Sequence, residues 1–219
     1  MLSLRSQELL SIGDIVYIKP LKTLGRVKVF KKGKYVVKII NGKVNLFDIE
    51  DFTNDLREAD LRGAYLKGIS LRGFNLEGAN LVGADLRGAD LRGANLRGAD
   101  LSGAYLYRAS LIEANLRGAN LTRARLVETH LGEAHLTKAN LKGANLEGAN
   151  LARADLKEAN LEGANLEGAS LYKANLTRAD LKGANLEETY LEEANLEGAN
   201  LEGAIGMNKS RIDKDGVYI

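Results

Sequence analysis

Leucine occupies every fifth position from Leu56 to Leu201 of this 219-residue chain, thirty times without interruption. The residue two places before each leucine is alanine in twenty-five of the thirty repeats. Leucine supplies only roughly a tenth of ordinary sequence, so chance does not produce this pattern. The five-residue period therefore constrains the fold of two-thirds of the molecule.

A period of five fits neither a regular helix nor a straight strand. In an α-helix each leucine would be rotated by ~140° from the previous one, so no apolar stripe would form. In a straight strand, odd spacing sends successive leucines to opposite faces. The chain must therefore turn once in every repeat, with alanine and leucine pointing inwards together.

The turn falls at the two residues after each leucine, which we call a corner. The second corner residue is glycine in seventeen of the thirty repeats, and a type II turn needs positive φ at that position. Arginine, lysine or glutamate takes the position in the other repeats, where we expect a type I-like corner. Repeated corners predict a solenoid with leucine and alanine inside.

The pattern A-(D/N)-L-x-G, as in Ala144-Asn145-Leu146-Glu147-Gly148, resembles the pentapeptide-repeat family over residues 54–204. The resemblance implies an all-β fold, a right-handed four-sided β-helix in which four repeats make one coil. Thirty repeats then give about 7.5 coils, and a spacing of ~4.8 Å per coil gives a height of ~36 Å. Residues twenty positions apart are expected to stack on one face.

Residues 1–53 differ in composition and are predicted to be a small β-rich domain that caps the first coil. Runs of β-branched and aromatic residues predict strands at residues 14–19, 26–30, 35–40 and 43–49. The segments Gly13-Asp14-Ile15-Val16, Leu24-Gly25-Arg26-Val27 and Tyr35-Val36-Val37 resemble small SH3-like barrels found in nucleic-acid and repair proteins. Candidate nucleic-acid contacts are Lys31, Lys32 and Lys34.

The repeat ends at Ile205, so residues 205–219 are expected to form a tail or a second cap. A turn at Asp215-Gly216 would fold Ile212 and Val217 onto the last coil. A frayed tail is the alternative.

The sequence predicts no enzyme, no cofactor and no metal site. It contains no cysteine, and His130 and His135 are expected to diverge on adjacent faces without further ligands. Ser110, His130 and Asn150 should stack on one face, but a flat face supplies neither a cleft nor an oxyanion hole. Without a signal segment or a membrane-spanning apolar run, we expect a cytoplasmic protein that does not enter a membrane.

The residue before each leucine is usually aspartate or asparagine, and departures from that rule are densest at residues 105–135. The departures are Tyr65, Ser70, Tyr105, Ser110, Arg125, His130, His135, Ser170 and Tyr190. A candidate protein-binding site, the central patch, comprises Tyr105, Tyr107, Arg108, Ile112, Arg125, Val127 and His130. Aromatic residues and arginine are favoured at interface centres, whereas neutral variation of outward positions is the alternative explanation.

Charge is unevenly distributed: residues 1–52 hold ten Lys/Arg against five Asp/Glu, whereas residues 127–204 hold seven against fourteen.

Three functions remain open. The first is a non-catalytic scaffold that binds another protein, as a monomer or an end-to-end dimer. The second is nucleic-acid binding by the basic N-terminal domain. The third, which the family resemblance implies, is DNA mimicry by the acidic half, directed at a type II topoisomerase.

Overall fold

The structure is a computed structural model that describes residues 16–17, 28–29, 36–40, 43–47, 55–206, 213 and 215–218. Two antiparallel strand pairs precede the repeats: β1 (Val16–Tyr17) with β2 (Lys28–Val29), and β3 (Val36–Ile40) with β4 (Lys43–Phe47). Each strand lies within one of the four predicted segments. The barrel stays a prediction, and the three candidate lysines lie outside the described residues.

Residues 55–206 form a four-sided β-helix. Parallel bridges join each residue before a leucine to its counterpart twenty positions later, from Asp55↔Asn75 to Asn185↔Ile205. A two-residue turn follows every leucine, so four turns separate bridged residues. The predicted stacking at intervals of twenty residues is therefore present throughout this range.

The core consists of stacked leucine and alanine side chains. Every repeat leucine from Leu71 to Leu181 is 0% exposed, and burying each one contributes roughly 1.5–3 kcal/mol. Ile69 and Phe74 replace alanine near the first coil and pack, partly buried, against the same core. The inward assignment of the leucine and alanine positions is correct.

The side chain before each leucine ties its own corner and the neighbouring coil together. The backbone N–H of Ser102 donates to Asp100 Oδ1 over 2.9 Å, and that of Glu162 donates to Asn160 Oδ1 over the same distance. Asparagine amides also donate along the stack, as Asn115 Nδ2 does to Asn95 Oδ1 at 3.0 Å. These two kinds of bond explain why aspartate and asparagine predominate at this position.

The expectation of type I-like corners without glycine is wrong. All thirteen non-glycine residues at the second corner position have positive φ, between 52° and 60°. The reason is the neighbouring coil: the N–H of Arg123 donates to Lys142 O at 3.0 Å, just as the N–H of Gly103 donates to Thr122 O. Bonds between coils thus impose one turn geometry, at a cost of roughly 1–2 kcal/mol per side-chain-bearing residue.

Residues 215–218 pair with the last coil. Val217 forms an antiparallel bridge with Asn195, and the N–H of Tyr218 donates to Ala194 O at 2.9 Å. Because Val217 is aligned with an outward-facing position, Tyr218 points inwards and is only 7% exposed. The sequence prediction had chosen Val217 and Ile212 as the packed residues; Val217 is half-buried, and Ile212 lies outside the described residues.

The candidate protein-binding patch

Tyr105 and Arg125 are stacked in adjacent coils on one face of the solenoid. A parallel bridge joins their backbones, and the guanidinium carbon of Arg125 lies 4.9 Å from the centre of the Tyr105 ring. This distance is within the range of a cation–π interaction. Tyr105 is 38% exposed, so the stacked pair presents a flat amphipathic surface to solvent.

Tyr107 and Arg108 form the corner beside that face, and Val127 and Glu128 form the same corner one coil later. Arg108 Nε donates to Glu128 Oε2 at 2.6 Å, while the Arg108 guanidinium carbon lies 4.8 Å from the Tyr107 ring centre. Both charged side chains are largely exposed. A pair of this kind contributes little to folding stability, and both groups stay in contact with solvent.

His130 and Ile112 extend the patch around the next face. His130 is exposed and is bridged to Ser110 below it and to Asn150 above it. Ile112 is 38% exposed at the corner that follows Ser110. The structure therefore brings all seven sequence-predicted patch residues together within two adjacent coils.

The second corner positions around the patch carry side chains, whereas the nine second positions before them carry none. All nine second corner positions from Gly63 to Gly103 are glycine. Of the next seven, only Gly118 is glycine. The other six are Arg108, Glu113, Arg123, Glu128, Glu133 and Lys138. Each adopts positive φ at a backbone cost, and they are concentrated beside exposed aromatic residues. The sequence did not predict their positive φ.

Residue types in the sequence single out one trio at the patch. Ser110, His130 and Asn150 stack as predicted, one above another on an open face. Within residues 55–206, 213 and 215–218, no group of three histidine, cysteine or acidic side chains is placed to hold a metal ion. No helix in the described part of the chain is long and apolar enough to cross a membrane.

Ion pairs neutralise several arginines below the patch. Arg87 and Arg92 each bind the aspartate two residues earlier through two side-chain hydrogen bonds. The hydrogen bonds from Arg92 lower the pKa of Asp90 to about 2. These local pairs weaken the basic character that the charge count assigned to the first half of the solenoid.

The sequence matches the profile of pentapeptide repeats, in 8 copies, over residues 55–93, 89–126, 114–151, 134–171, 149–187 and 169–205. Among solved structures it is similar to HetL, a pentapeptide repeat protein involved in heterocyst differentiation regulation from the cyanobacterium Nostoc sp. strain PCC 7120. That match has 36% identity and a TM-score of 0.32, and covers 73% of this chain and 91% of HetL.

Two further structures are similar over parts of the chain. The pentapeptide repeat protein alr5209 from Nostoc PCC 7120 is 47% identical, with a TM-score of 0.34, over 34% of this chain and 62% of alr5209. QnrB1, a plasmid-mediated fluoroquinolone resistance protein, is 17% identical, with a TM-score of 0.45, over 70% of this chain and 91% of QnrB1. Comparison with curated protein sequences found no match.

Proposed function

This chain belongs to the pentapeptide-repeat family, and we propose that it is a non-catalytic interaction module whose central patch binds another protein. The observation that carries the proposal is the coincidence of two features in the same coils. Two exposed tyrosines lie there, each with a guanidinium group against its ring, and second corner residues that bear side chains despite positive φ are concentrated there.

The chemistry of the patch suits protein recognition. Tyr105 and Tyr107 are amphipathic and partly exposed, and aromatic residues with arginine dominate the energetics of many interfaces. The guanidinium groups of Arg108 and Arg125 are held against the tyrosine rings. Because these side chains are already held in place, binding would cost little side-chain conformational entropy.

We extend the proposal to the rest of the chain. The solenoid is right-handed with about 7.5 coils, following the repeat count. Residues 1–53 cap its first coil and residues 205–219 its last, which removes the open edges that invite aggregation. The protein acts in the cytoplasm. Nucleic-acid binding by Lys31, Lys32 and Lys34 and topoisomerase binding by the acidic half stay predictions without further support.

Affinity capture from native cell extract tests the proposal. The variants Tyr107→Ala and Arg125→Ala are expected to lose the captured partner while the melting temperature stays nearly unchanged, since both side chains lie on the surface. The matched controls are Lys142→Ala and Lys182→Ala, exposed residues that each form one ion pair between coils. Equal capture by both sets of variants would refute the proposal.

A further inference from the structure

One edge of the solenoid changes character in a regular order along its length. Its first corner residues, in seven successive coils, are Lys67, Arg87, Tyr107, Val127, Glu147, Glu167 and Glu187. Backbone hydrogen bonds of 2.8–3.2 Å connect the carbonyls from Arg87 to Glu187 to the preceding coil, for example Gly88 N–H to Tyr107 O and Gly148 N–H to Glu167 O. We call this column the polar-gradient edge: it is basic, then apolar, then acidic.

We propose that the polar-gradient edge binds a second copy of this chain, with the two solenoids side by side and antiparallel. A two-fold axis perpendicular to the solenoid, passing between Tyr107 and Val127, reverses the order of the column. Lys67 of each copy then opposes Glu167 of the other. Arg87, which also pairs with Asp85 of its own chain, likewise opposes Glu147. Tyr107 opposes Val127. Every charged residue of the column within this span faces an opposite charge on the other copy. At the centre, the apolar residues Tyr107 and Val127 of one copy face Val127 and Tyr107 of the other.

The neighbouring columns are complementary under the same symmetry. Tyr105 opposes Arg125 of the second copy, which offers across the interface the cation–π contact that the two residues form within one chain. Arg108 likewise opposes Glu128, so their 2.6 Å ion pair can be exchanged between chains. The symmetry of an isologous dimer requires this kind of self-complementary surface.

Glycine at the outer corners permits close approach. The second corner residues opposite one another away from the centre are Gly68 with Gly168 and Gly88 with Gly148. None of them carries a side chain that would hold the two edges apart. At the second corner positions of this span, side chains are therefore confined to the central pair, Arg108 and Glu128, where the charges match.

Charge disfavours the parallel arrangement. With the two solenoids parallel, Lys67 would meet Lys67 and Glu167 would meet Glu167, and like charges in contact destabilise a complex. The arrangement also differs from an end-to-end dimer, because the contact runs along the side of the solenoid. From Lys67 to Glu167 the strip is ~24 Å long at ~4.8 Å per coil. This length favours a small, reversible interface.

The inference rests on the proposed function, because it names the partner of the same surface. Sedimentation velocity of the full chain tests it, over protein concentrations from about 1 µM to about 500 µM, where small interfaces associate. The wild-type chain is expected to pass from monomer to dimer with rising concentration. It should return to monomer at about 1 M NaCl, where charges are screened within ~3 Å.

Charge reversal makes the test specific. Lys67 and Glu167 are suited to it because, unlike Arg87 and Glu128, neither forms an ion pair within the described part of the chain. Glu167 Oε2 accepts a 3.3 Å hydrogen bond from Asn185 Nδ2. Lys67→Glu and Glu167→Lys alone place like charges opposite each other twice, so each variant is expected to remain monomeric. An equimolar mixture of the two variants restores both pairs and is expected to form a heterodimer. Unchanged dimerisation of the single variants, or no association in the mixture, overturns the proposal.

Cross-linking tests the orientation. The sequence has no cysteine, so Lys67→Cys and Glu167→Cys chains each carry one thiol for a short bismaleimide reagent. An antiparallel dimer links position 67 to position 167 in the mixture, with little linkage of either variant to itself. The control thiols Arg117→Cys and Lys157→Cys, on the diagonally opposite edge, should not link. Predominant linkage of position 67 to itself contradicts the proposal.

The outcomes separate this inference from the proposed function. A wild-type chain that stays monomeric at every concentration refutes the dimer. If Tyr107→Ala and Arg125→Ala still abolish capture from cell extract in that case, the central patch retains its role and only the identity of the partner is wrong. If the dimer forms but these variants capture as the wild type does, the proposed function fails instead.

Discussion

The hydroxyl of Thr129 donates a hydrogen bond to the carbonyl oxygen of Leu106, 2.9 Å away, inside a core built mainly of leucine and alanine. Thr189 makes the same bond to Leu166 three coils later. Threonine therefore replaces the usual alanine without leaving a buried polar atom unsatisfied.

Replacing Thr129 with valine tests that account. The variant keeps the side-chain shape and removes one buried hydrogen bond, while Leu106 O retains its bond from the N–H of Ala109. We expect a loss of ~1 kcal/mol in the free energy of unfolding, measured by urea denaturation. Thr122→Val is the control, since its hydroxyl bonds only to the nearby, half-buried Asn120, and it should change stability by less than ~0.5 kcal/mol.

The corner geometry predicts that glycine is better than arginine at position 123. Arg123 has φ of 55°, so Arg123→Gly removes a backbone cost of roughly 1–2 kcal/mol, partly offset by the greater flexibility of unfolded glycine. We expect a net gain of ~0.5–1 kcal/mol in thermal or urea unfolding.

The reverse change supplies the control for that corner. A Cβ at Gly103 would meet no atom within 4 Å, so Gly103→Ala isolates the backbone effect and should cost ~1 kcal/mol. Stabilisation by Gly103→Ala, or destabilisation by Arg123→Gly, would show that positive φ is not costly in this fold.

Acid titration tests the Asp90–Arg92 pair. Arg92 lowers the pKa of Asp90 from 3.8 to about 2, so the folded state binds this proton less readily than the unfolded state. The contribution to stability is present above pH 3.8 and is lost as the pH falls towards about 2. In NMR titration the Asp90 carboxyl should have its midpoint near 2, and Arg92→Gln should move the midpoint up towards 3.8. An unchanged midpoint in that variant would show that Arg92 does not cause the low pKa of Asp90.

Binding to nucleic acid provides a direct test of the N-terminal lysines. If Lys31, Lys32 and Lys34 contact phosphates, affinity should fall steeply with salt, and reversing the three charges should flatten that dependence. We expect weak binding or none, because ten basic against five acidic residues is a modest excess for residues 1–52. Tight, salt-sensitive binding at ~50 mM salt, lost in the triple variant, would favour the nucleic-acid function instead.

The sequence predicts the solenoid well because the position of each residue within the five-residue repeat determines whether it points inwards or outwards. Leucine and alanine must point inwards, so Leu116 could be placed in the core and Arg117 on the surface from spacing alone. Stacking at twenty residues also predicts that Tyr105 meets Arg125 and that Arg108 meets Glu128, as the structure shows.

The sequence did not predict the features that depend on contacts between coils. The positive φ of Glu128 opposes its local preference and is imposed by a hydrogen bond from its N–H to Glu147 O in the next coil. The inward orientation of Tyr218 depends on the register of an antiparallel bridge, which turn residues alone do not specify. In both cases, contacts distant in sequence outweigh local propensity.

Hydroxyl-radical footprinting of the captured complex tests the central claim, that the patch is the binding surface, most directly. Tyr105 and Tyr107 are 38% and 36% exposed in the free chain, so both should be labelled there and protected in the complex. Tyr190 is the internal control. It is 64% exposed and lies four coils beyond Ser110, which belongs to the coil that carries Tyr107. It should be labelled equally in both states. Unchanged labelling of Tyr105 and Tyr107 in the complex would contradict the account.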